Sequence, residues 1–462
     1  MNRRTVFFST IVAALGGLLF GFDTAVISGT TEALESVFGL DEFWLGFTVA
    51  SALIGTIVGA FGAGIPADRY GRNRVLIVLA VFYFVSALGS ATADNWIAFL
   101  LYRFLGGLAV GGSSVVAPMY IAEIAPARLR GRLVAVSQLN VVTGILLAFF
   151  SNYVVAQIIA DATAWRWMFG VEAAPAALFF ALLFFIPQSP RWLVKRGRSE
   201  EARAVLERLG EVEIDNEMAE IVASLKTATG QTGGKLFQKR YTFPILLAWG
   251  LAMFNQLSGI NALMYYASRI FGMAGAGVDD ALLRSVAVGG TNLIFTIAAF
   301  FIIDRFGRRP LMIVGSAGTA GCLALVAWAF FVGGDQMGTP VLIGLLGFIA
   351  FFALSQGAVI WVFLTEIFPN RVRSKGQSLG SFTHWFMAAA VSWTFPVVAE
   401  ASGGFAFAFF SAMMVLQLFF AVKIMPETKG LSLEELEVKL GIGTAELEAL
   451  EERLHAEAGE NA

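Results

Sequence analysis

The chain has 462 residues, 57% of them hydrophobic and 14% charged, with a formal net charge of -2. A water-soluble protein carries about 25% charged residues spread along its length, so this composition excludes water as the main solvent. The near-neutral balance argues against nucleic acid as a partner, and the single Cys322, inside an apolar run, excludes a disulfide framework within the chain.

Apolar runs of about 20 residues, the length a helix needs to cross lipid hydrocarbon, recur from end to end. Between charged or turn-rich breaks they give twelve spans: 7–29, 44–66, 75–92, 97–119, 132–156, 166–186, 243–266, 282–303, 310–332, 341–364, 377–399 and 404–425. The first run is too long for a signal-peptide core and lacks a small-residue cleavage site, so it reads as a retained helix. With both termini cytoplasmic, only Arg166, Arg269 and Arg284 of the 32 Lys and Arg residues fall outside, and Arg103 lies within a span. The positive-inside rule disfavours the reverse topology.

The expected fold is an all-α membrane protein of twelve transmembrane helices in two six-helix pseudo-symmetric halves. The first half takes residues 1–188 and the second 241–426. Residues 189–240 form a cytoplasmic linker, in which Ala202, Val205, Leu206 and Leu209, then Ile214, Met218, Ile221, Val222 and Leu225, recur at helical spacing. An acidic tail, 427–462, carries Leu433, Leu436 and Leu440 at the same spacing and is expected to dock on the inner face.

Three motifs return in the second half. Asp68-Arg69-Tyr70-Gly71-Arg72-Asn73-Arg74 after span two recurs as Asp304-Arg305-Phe306-Gly307-Arg308-Arg309 after span eight. Glu123-Ile124-Ala125-Pro126-Ala127-Arg128-Leu129-Arg130 recurs as Glu366-Ile367-Phe368-Pro369-Asn370-Arg371-Val372-Arg373, and Pro187-Gln188-Ser189-Pro190-Arg191 is echoed by Pro426-Glu427-Thr428-Lys429. All three are displaced by about 240 residues, the mark of a duplicated half. Halves so related suit a carrier that rocks one against the other around a central site. Carboxylates and guanidinium groups form charge-assisted links. Asp68, Arg69, Arg72, Glu123, Arg130, Asp304, Arg305, Arg308, Glu366 and Arg373 are therefore expected to latch the halves together on the cytoplasmic side when the carrier is open outward. Topogenic charge alone is the alternative, and it leaves the recurrence of Glu123 and Glu366 unexplained.

Further runs make the pattern specific: Gly21-Phe22-Asp23-Thr24-Ala25-Val26-Ile27-Ser28, Gln256-Leu257-Ser258-Gly259-Ile260-Asn261 followed by Tyr265-Tyr266, Pro-Gln-Ser-Pro-Arg-Trp-Leu at 187–193 and Pro-Glu-Thr-Lys-Gly at 426–430. Together these motifs resemble the sugar porter branch of the major facilitator superfamily, and within it the bacterial proton-coupled xylose and hexose symporters, over nearly the whole chain. The resemblance implies sugar contacts at Gln138 in span five, at Gln256, Asn261 and Tyr265 in span seven and at Asn292 in span eight. It also implies a hinge at Gly357 and a sugar-covering Trp361 in span ten, and an aromatic contact at Trp385 in span eleven. Asn255 stands where many members carry the first of two glutamines, His384 where a polar amide is usual, Ala358 where proline follows the hinge glycine, and Gln188 for a glutamate.

A pyranose presents hydroxyl groups at its edge and weakly apolar CH faces. Gln138, Asn255, Gln256, Asn261 and Asn292 each donate and accept hydrogen bonds, and Trp361, Trp385, Phe254 and Tyr265 offer surfaces for the CH faces. Each amide alone has the alternative of bonding a neighbouring helix, worth about 0.6 kcal/mol on average. Gly259 and Gly357 permit local unwinding or close helix packing. His384 has three open roles: ligand partner, packing residue or titrating group.

A charge at the centre of a span costs roughly 2.5–3.5 kcal/mol, so Asp23, Arg103 and Glu172 are expected to have partners and work. Burial disfavours a carboxylate's charge while a nearby guanidinium favours it, so moving Arg103 between states can load and release a proton. In the family resembled, an acid at the Asp23 position accompanies proton symport, whereas facilitators commonly carry asparagine. Asp23 is thus the expected proton carrier, tuned by Arg103 and Glu172; a permanent ion pair is the alternative.

The expected function is import of a monosaccharide by alternating access, as sugar–proton symport. The alternatives are an uncoupled facilitator or a carrier-like sensor, which would need a longer extension than the tail after Pro426. No enzyme chemistry is expected: His384 and His455 are far apart in sequence and no phosphate-binding loop is present. No metal or cofactor is implied. The expected partners are a hexose, pentose or cyclic polyol, a proton and the lipid bilayer of the inner membrane, with a monomer as the working unit.

Overall fold

The computed structural model describes residues 3–442 except 127, 160, 212, 232–234, 335–336, 370 and 432. Among these the chain forms helices without strands, as it must where lipid offers peptide groups no partner. Twelve long helices are α1 (Arg4–Gly29), α2 (Glu42–Gly62), α3 (Arg72–Thr92), α4 (Trp96–Ile124), α5 (Arg130–Ile158), α6 (Ala164–Leu183), α7 (Lys239–Met273), α8 (Val278–Ile303), α9 (Arg308–Val332), α10 (Gly338–Glu366), α11 (Arg373–Ala401) and α12 (Gly403–Lys423). All but α11 have both the length and the apolar composition to cross a bilayer. Helix α11 is long enough, but Ser374, Gln377, Ser378, Ser381 and His384 face an internal cavity rather than lipid.

Six helices pair in one half and the same pairings recur six helices later. Helix α1 packs on α5 as α7 packs on α11, α2 on α4 as α8 on α10, and α3 on α6. The halves meet along α2 with α11 and α5 with α8. Small residues set the spacing within a half. A Cβ on Gly21 would run into the Val141 carbonyl, one on Gly144 into that of Leu18, and one on Gly107 into that of Ala52. Gly106, Gly111 and Gly112 of α4 are as tightly placed, so all four glycines of that helix are packing residues.

The linker forms helices Pro190–Lys195, Ser199–Leu209 and Ile214–Gln231. Ala202, Leu206, Leu209 and Ile221 are buried, whereas Val222 is exposed. In the tail, Leu436 of the helix Leu433–Lys439 and Leu440 just after it pack on the second half; the Leu433 side chain and residues 443–462 lie outside the described residues.

Helices α7 and α10 are interrupted within their spans, as is α6 between Gly170 and Ala173. Helix α7 breaks between Thr242–Leu257 and Ile260–Met273 at Gly259, whose φ of 84° suits glycine and whose added Cβ would meet Phe410 at 2.5 Å. Helix α10 breaks at Ser355 (φ -122°, ψ -87°), not at Gly357, where an added Cβ would make only ordinary contacts from 3.4 Å. The helix break thus lies two residues before Gly357, the expected hinge, at a point where Ser355 Oγ donates to the Phe351 carbonyl at 2.6 Å.

The third repeated motif caps the helices of the first. Gln188 Oε1 accepts from Asn73 N at 3.1 Å at the start of α3. Glu427 accepts from Arg308 N and Arg309 N at 3.0 Å and from Thr428 N and Lys429 N at 2.9 Å at the start of α9. Partial burial opposes the Glu427 charge, but the backbone N–H groups of Lys429, Arg308, Arg309 and Thr428 outweigh it and hold the carboxyl below the usual carboxylate range.

Two outcomes follow from this packing. Gly21→Ala is expected to cost about 1–3 kcal/mol by overpacking, read as a lower melting temperature in detergent; an unchanged melt would contradict the close approach of α1 and α5. A carboxyl held low in the fold contributes stability above its unfolded pKa that is lost as pH falls through the lowered value. Glu427→Gln is expected to lower the melting temperature at neutral pH and to flatten its fall on acidification below about pH 4, measured by thermal shift across pH.

Candidate functional site

A cavity of 1770 Å³ lies between the halves. It brings together Gln138 from α5, Asn255, Gln256, Asn261 and Tyr265 from α7, Asn292 from α8, Gly357 and Trp361 from α10, and His384 and Trp385 from α11. It runs to the end of the molecule bearing the repeated Asp-Arg motifs, here called the basic end, where Arg132, Arg308 and Ser374 line it. Gln138 and Ser378 are exposed although each lies within a 29-residue helix of the bundle. At the opposite end the halves close. A Cβ on Gly46 would strike the Trp393 carbonyl, the rings of Phe43 and Phe47 lie 5.4 and 4.9 Å from that of Trp393, and Ser28 Oγ accepts from Ser268 N at 3.2 Å.

The break in α7 shapes the polar cluster. Gln256 Nε2 donates to Asn255 Oδ1 at 3.0 Å and lies 3.2 Å from the His384 ring nitrogens, while Gln256 Oε1 accepts from Asn261 Nδ2 at 2.8 Å. His384 sits between two indoles, 5.0 Å from Trp361 and 5.0 Å from Trp385, and Phe20 of α1 meets Trp385 at 5.7 Å across the gap between halves. Asn292 Oδ1 accepts from Thr296 at 3.5 Å. Asn255 Nδ2 is buried with no hydrogen-bond partner among the described residues, a donor that gains by meeting an acceptor in the cavity.

One expectation fails. Phe254 packs on Phe420 of α12 at 5.7 Å and is absent from the cavity wall. Two residues before Gln256, at about 100° per residue, it points to the far side of the helix. Conversely, Phe20 and Thr24 of α1 and Thr296 of α8 line the cavity. Phe20 carried no signal, because a phenylalanine in an apolar run reads equally as lipid-facing.

Next to this cluster lies a buried charged group. Arg103 Nη1 donates to Asp23 Oδ1 at 2.5 Å and Nη2 to the Asp23 carbonyl at 3.3 Å, and the guanidinium stands 5.4 Å from the Phe169 ring centre. Arg103, Asp23 and Glu172 are 1%, 3% and 2% exposed. Glu172 lies where α6 is distorted between Ala164–Gly170 and Ala173–Leu183, within the field of both Asp23 and Arg103, and its Oε1 has no hydrogen-bond partner among the described residues. Gly106 makes room, since a Cβ there would lie 3.3 Å from Asp23 Oδ1. Tyr265 connects the two clusters: its hydroxyl meets Thr24, the residue after Asp23, while its side chain lines the cavity.

At the basic end the ion pairs lie within halves. Arg72 binds Glu123 Oε1 at 2.8 Å and Asp68 at 3.0 Å, and Asp68 also takes Lys195 of the linker at 3.0 Å. In the second half Arg308 binds Glu366 at 2.9 Å, and Thr428 donates to the other Glu366 oxygen at 2.6 Å. Arg69 and Arg305 are exposed, over Tyr70 and Phe306, Arg130 faces the field of Glu217 in the linker, and Arg373 Nε donates to the Phe368 carbonyl at 3.2 Å. The Asp304 side chain lies outside the described residues. Among the described residues no ion pair between these groups joins the halves in this conformation, and the cavity opens between them. Among the described residues no three His, Cys, Asp or Glu side chains gather to hold a metal.

A family profile described as "Sugar (and other) transporter" matches residues 9–440. The D-xylose-proton symporter of Escherichia coli is 41% identical, over 94% of this chain and 96% of that protein. The inward open conformation of the xylose transporter XylE from E. coli superposes with a TM-score of 0.84 at 39% identity, covering 94% of this chain and 99% of that one. The proton:xylose symporter XylE bound to 6-bromo-6-deoxy-D-glucose superposes at 0.77, with 40% identity over 95% and 100%. By profile, sequence and fold, this chain is a member of the sugar transporter family.

Proposed function

We propose that the protein imports a monosaccharide together with a proton by alternating access, and that this conformation is open toward the cytoplasm. The observation that carries the reading is the single-ended cavity in which the amide and indole cluster joins the buried Asp23–Arg103 pair through Tyr265 and Thr24. The positive-inside rule puts the basic end, and with it both termini, in the cytoplasm of a cell whose inner membrane holds the chain. The nearer match to the inward open form of the xylose transporter supports the same orientation.

In this reading the amides of Gln138, Asn255, Gln256, Asn261 and Asn292 take the sugar hydroxyls, and Trp361 and Trp385 cover its CH faces. A pentose or hexose of the kind named for the relatives fits such a cluster, with His384 supplying a donor or acceptor according to its tautomer. Asp23 carries the proton. Protonation discharges its pairing with Arg103 and frees α1 to move, and Arg103 reclaims the carboxylate once the proton leaves. Glu172 offers Arg103 a second carboxylate during that exchange. The protein works as a monomer of two halves, 1–188 and 241–426, and the cytoplasmic carboxylates and arginines pair across the gap when it closes.

Two measurements test this. Asp23→Asn in energised vesicles is expected to abolish uphill accumulation and the alkalinisation that accompanies influx while retaining sugar exchange; accumulation at the wild-type level would remove Asp23 from coupling. Gln256→Ala is expected to weaken D-xylose or D-glucose binding by about 10- to 100-fold, from the loss of a buried hydrogen-bonding group, read by tryptophan fluorescence. Unchanged affinity for both sugars would move the site elsewhere.

A further inference from the structure

Opposite the basic end, the Arg269 guanidinium joins the halves. Arg269, on the second segment of α7 (Ile260–Met273), donates to Glu35 at 2.5 Å and stands 3.8 Å from Glu42. Glu35 belongs to the short helix Thr31–Phe38 and Glu42 begins α2, so both carboxylates belong to the first half. Glu400, an exposed residue near the end of α11 in the second half, lies beside Glu42 and within the field of Glu35 and Arg269. The Arg269 side chain is 17% exposed and those of Glu35 and Glu42 31% and 22%, so the pair is partly shielded from water. In sequence Arg269 is an exception, a basic residue on the side where such residues are rare.

The charges are unequal in a telling way. One cation sits among carboxylates from both halves, and without it Glu42 and Glu400 would face each other across the seam as like charges. Arg269 thus turns repulsion into attraction, and only while this end is shut, since opening it draws α7 away from Glu35. A contact made in one state alone shifts the balance between states by its full differential free energy.

We propose that Arg269 is a positioning residue of the transport cycle: it pins the outer gate and sets the balance between the outward-open and inward-open states. This rests on the carrier reading above. Its chemistry acts through the gate and not through the sugar, because Arg269 lies outside the cavity wall.

The test uses the full chain in right-side-out vesicles, with Cys322→Ser removing the natural thiol and Ser28→Cys as reporter. Ser28 is 1% exposed and lies against Ser268 beneath the gate. Arg269→Gln is expected to speed labelling of that thiol by an external membrane-impermeant maleimide about fivefold, the population shift that about 1 kcal/mol gives. It should also lower both KM for external sugar and kcat, because the outward state is favoured and closure is slowed. Adding Glu400→Gln to Arg269→Gln is expected to reverse part of the acceleration, since it removes the exposed repulsion; a role in packing alone would not respond. Glu35→Gln, which leaves the arginine in place, should shift labelling in the same direction by less. Wild-type labelling and KM in folded Arg269→Gln protein, or no reversal by Glu400→Gln, would overturn the pin. Failure of the carrier reading would show separately, as no uptake of D-xylose or D-glucose by wild-type vesicles.

Discussion

Hydrocarbon offers a peptide group nothing to bond with, so backbone can leave the helix at membrane depth only where protein or a wet cavity replaces the missing partners. The whole site depends on that constraint. Helices α7 and α10 are interrupted at Gly259 and Ser355, both beside the central cavity, and each break finds local support. Gly259 adopts a left-handed turn against Phe410, and Ser355 returns a hydroxyl hydrogen to the preceding turn. The interruptions place Gln256 and Asn261 on either side of a corner, where an unbroken helix would have separated them by more than a turn. The second segment of α7 turns again at Tyr266, whose φ of -125° and ψ of 20° are non-helical, so that Tyr265 and Ser268 lie on either side of a kink.

That geometry joins two problems that lipid makes expensive. A buried carboxylate requires a partner, and Arg103 supplies it to Asp23. A buried amide cluster requires hydrogen bonds, and Gln256 supplies most of them to Asn255, Asn261 and the His384 ring. Tyr265 stands between, beside Thr24 of α1 next to the acid and in the wall of the cavity that holds the amides. A single side chain thus borders both clusters.

Much of this was legible before any coordinates. Greasy runs of bilayer length and lopsided arginine counts gave the helices, and the doubled motifs gave the halves, because both are one-dimensional signals. Boundaries were less legible where helices outlast their apolar stretch: α7 continues past Tyr266 to Met273 because Ser268 and Arg269 are held by partners across the seam. The ten cavity residues came from resemblance to a family, not from periodicity. Where physics alone was used, Phe254 was misplaced by half a turn of helix and Phe20 was missed. The Glu35–Arg269 pair was beyond reach, since nothing in a sequence marks two charges 234 positions apart as neighbours.

The repeated pairing of helices has a geometric corollary. The two seams, α2 with α11 and α5 with α8, exchange places when each half is mapped onto the other. In the first seam Gly46 lies tight against Trp393; in the second Gly289 approaches Leu146, where an added Cβ would sit 3.0 Å from its Cα. Both seams are thus built the same way, with a glycine letting backbone meet backbone where the two halves touch.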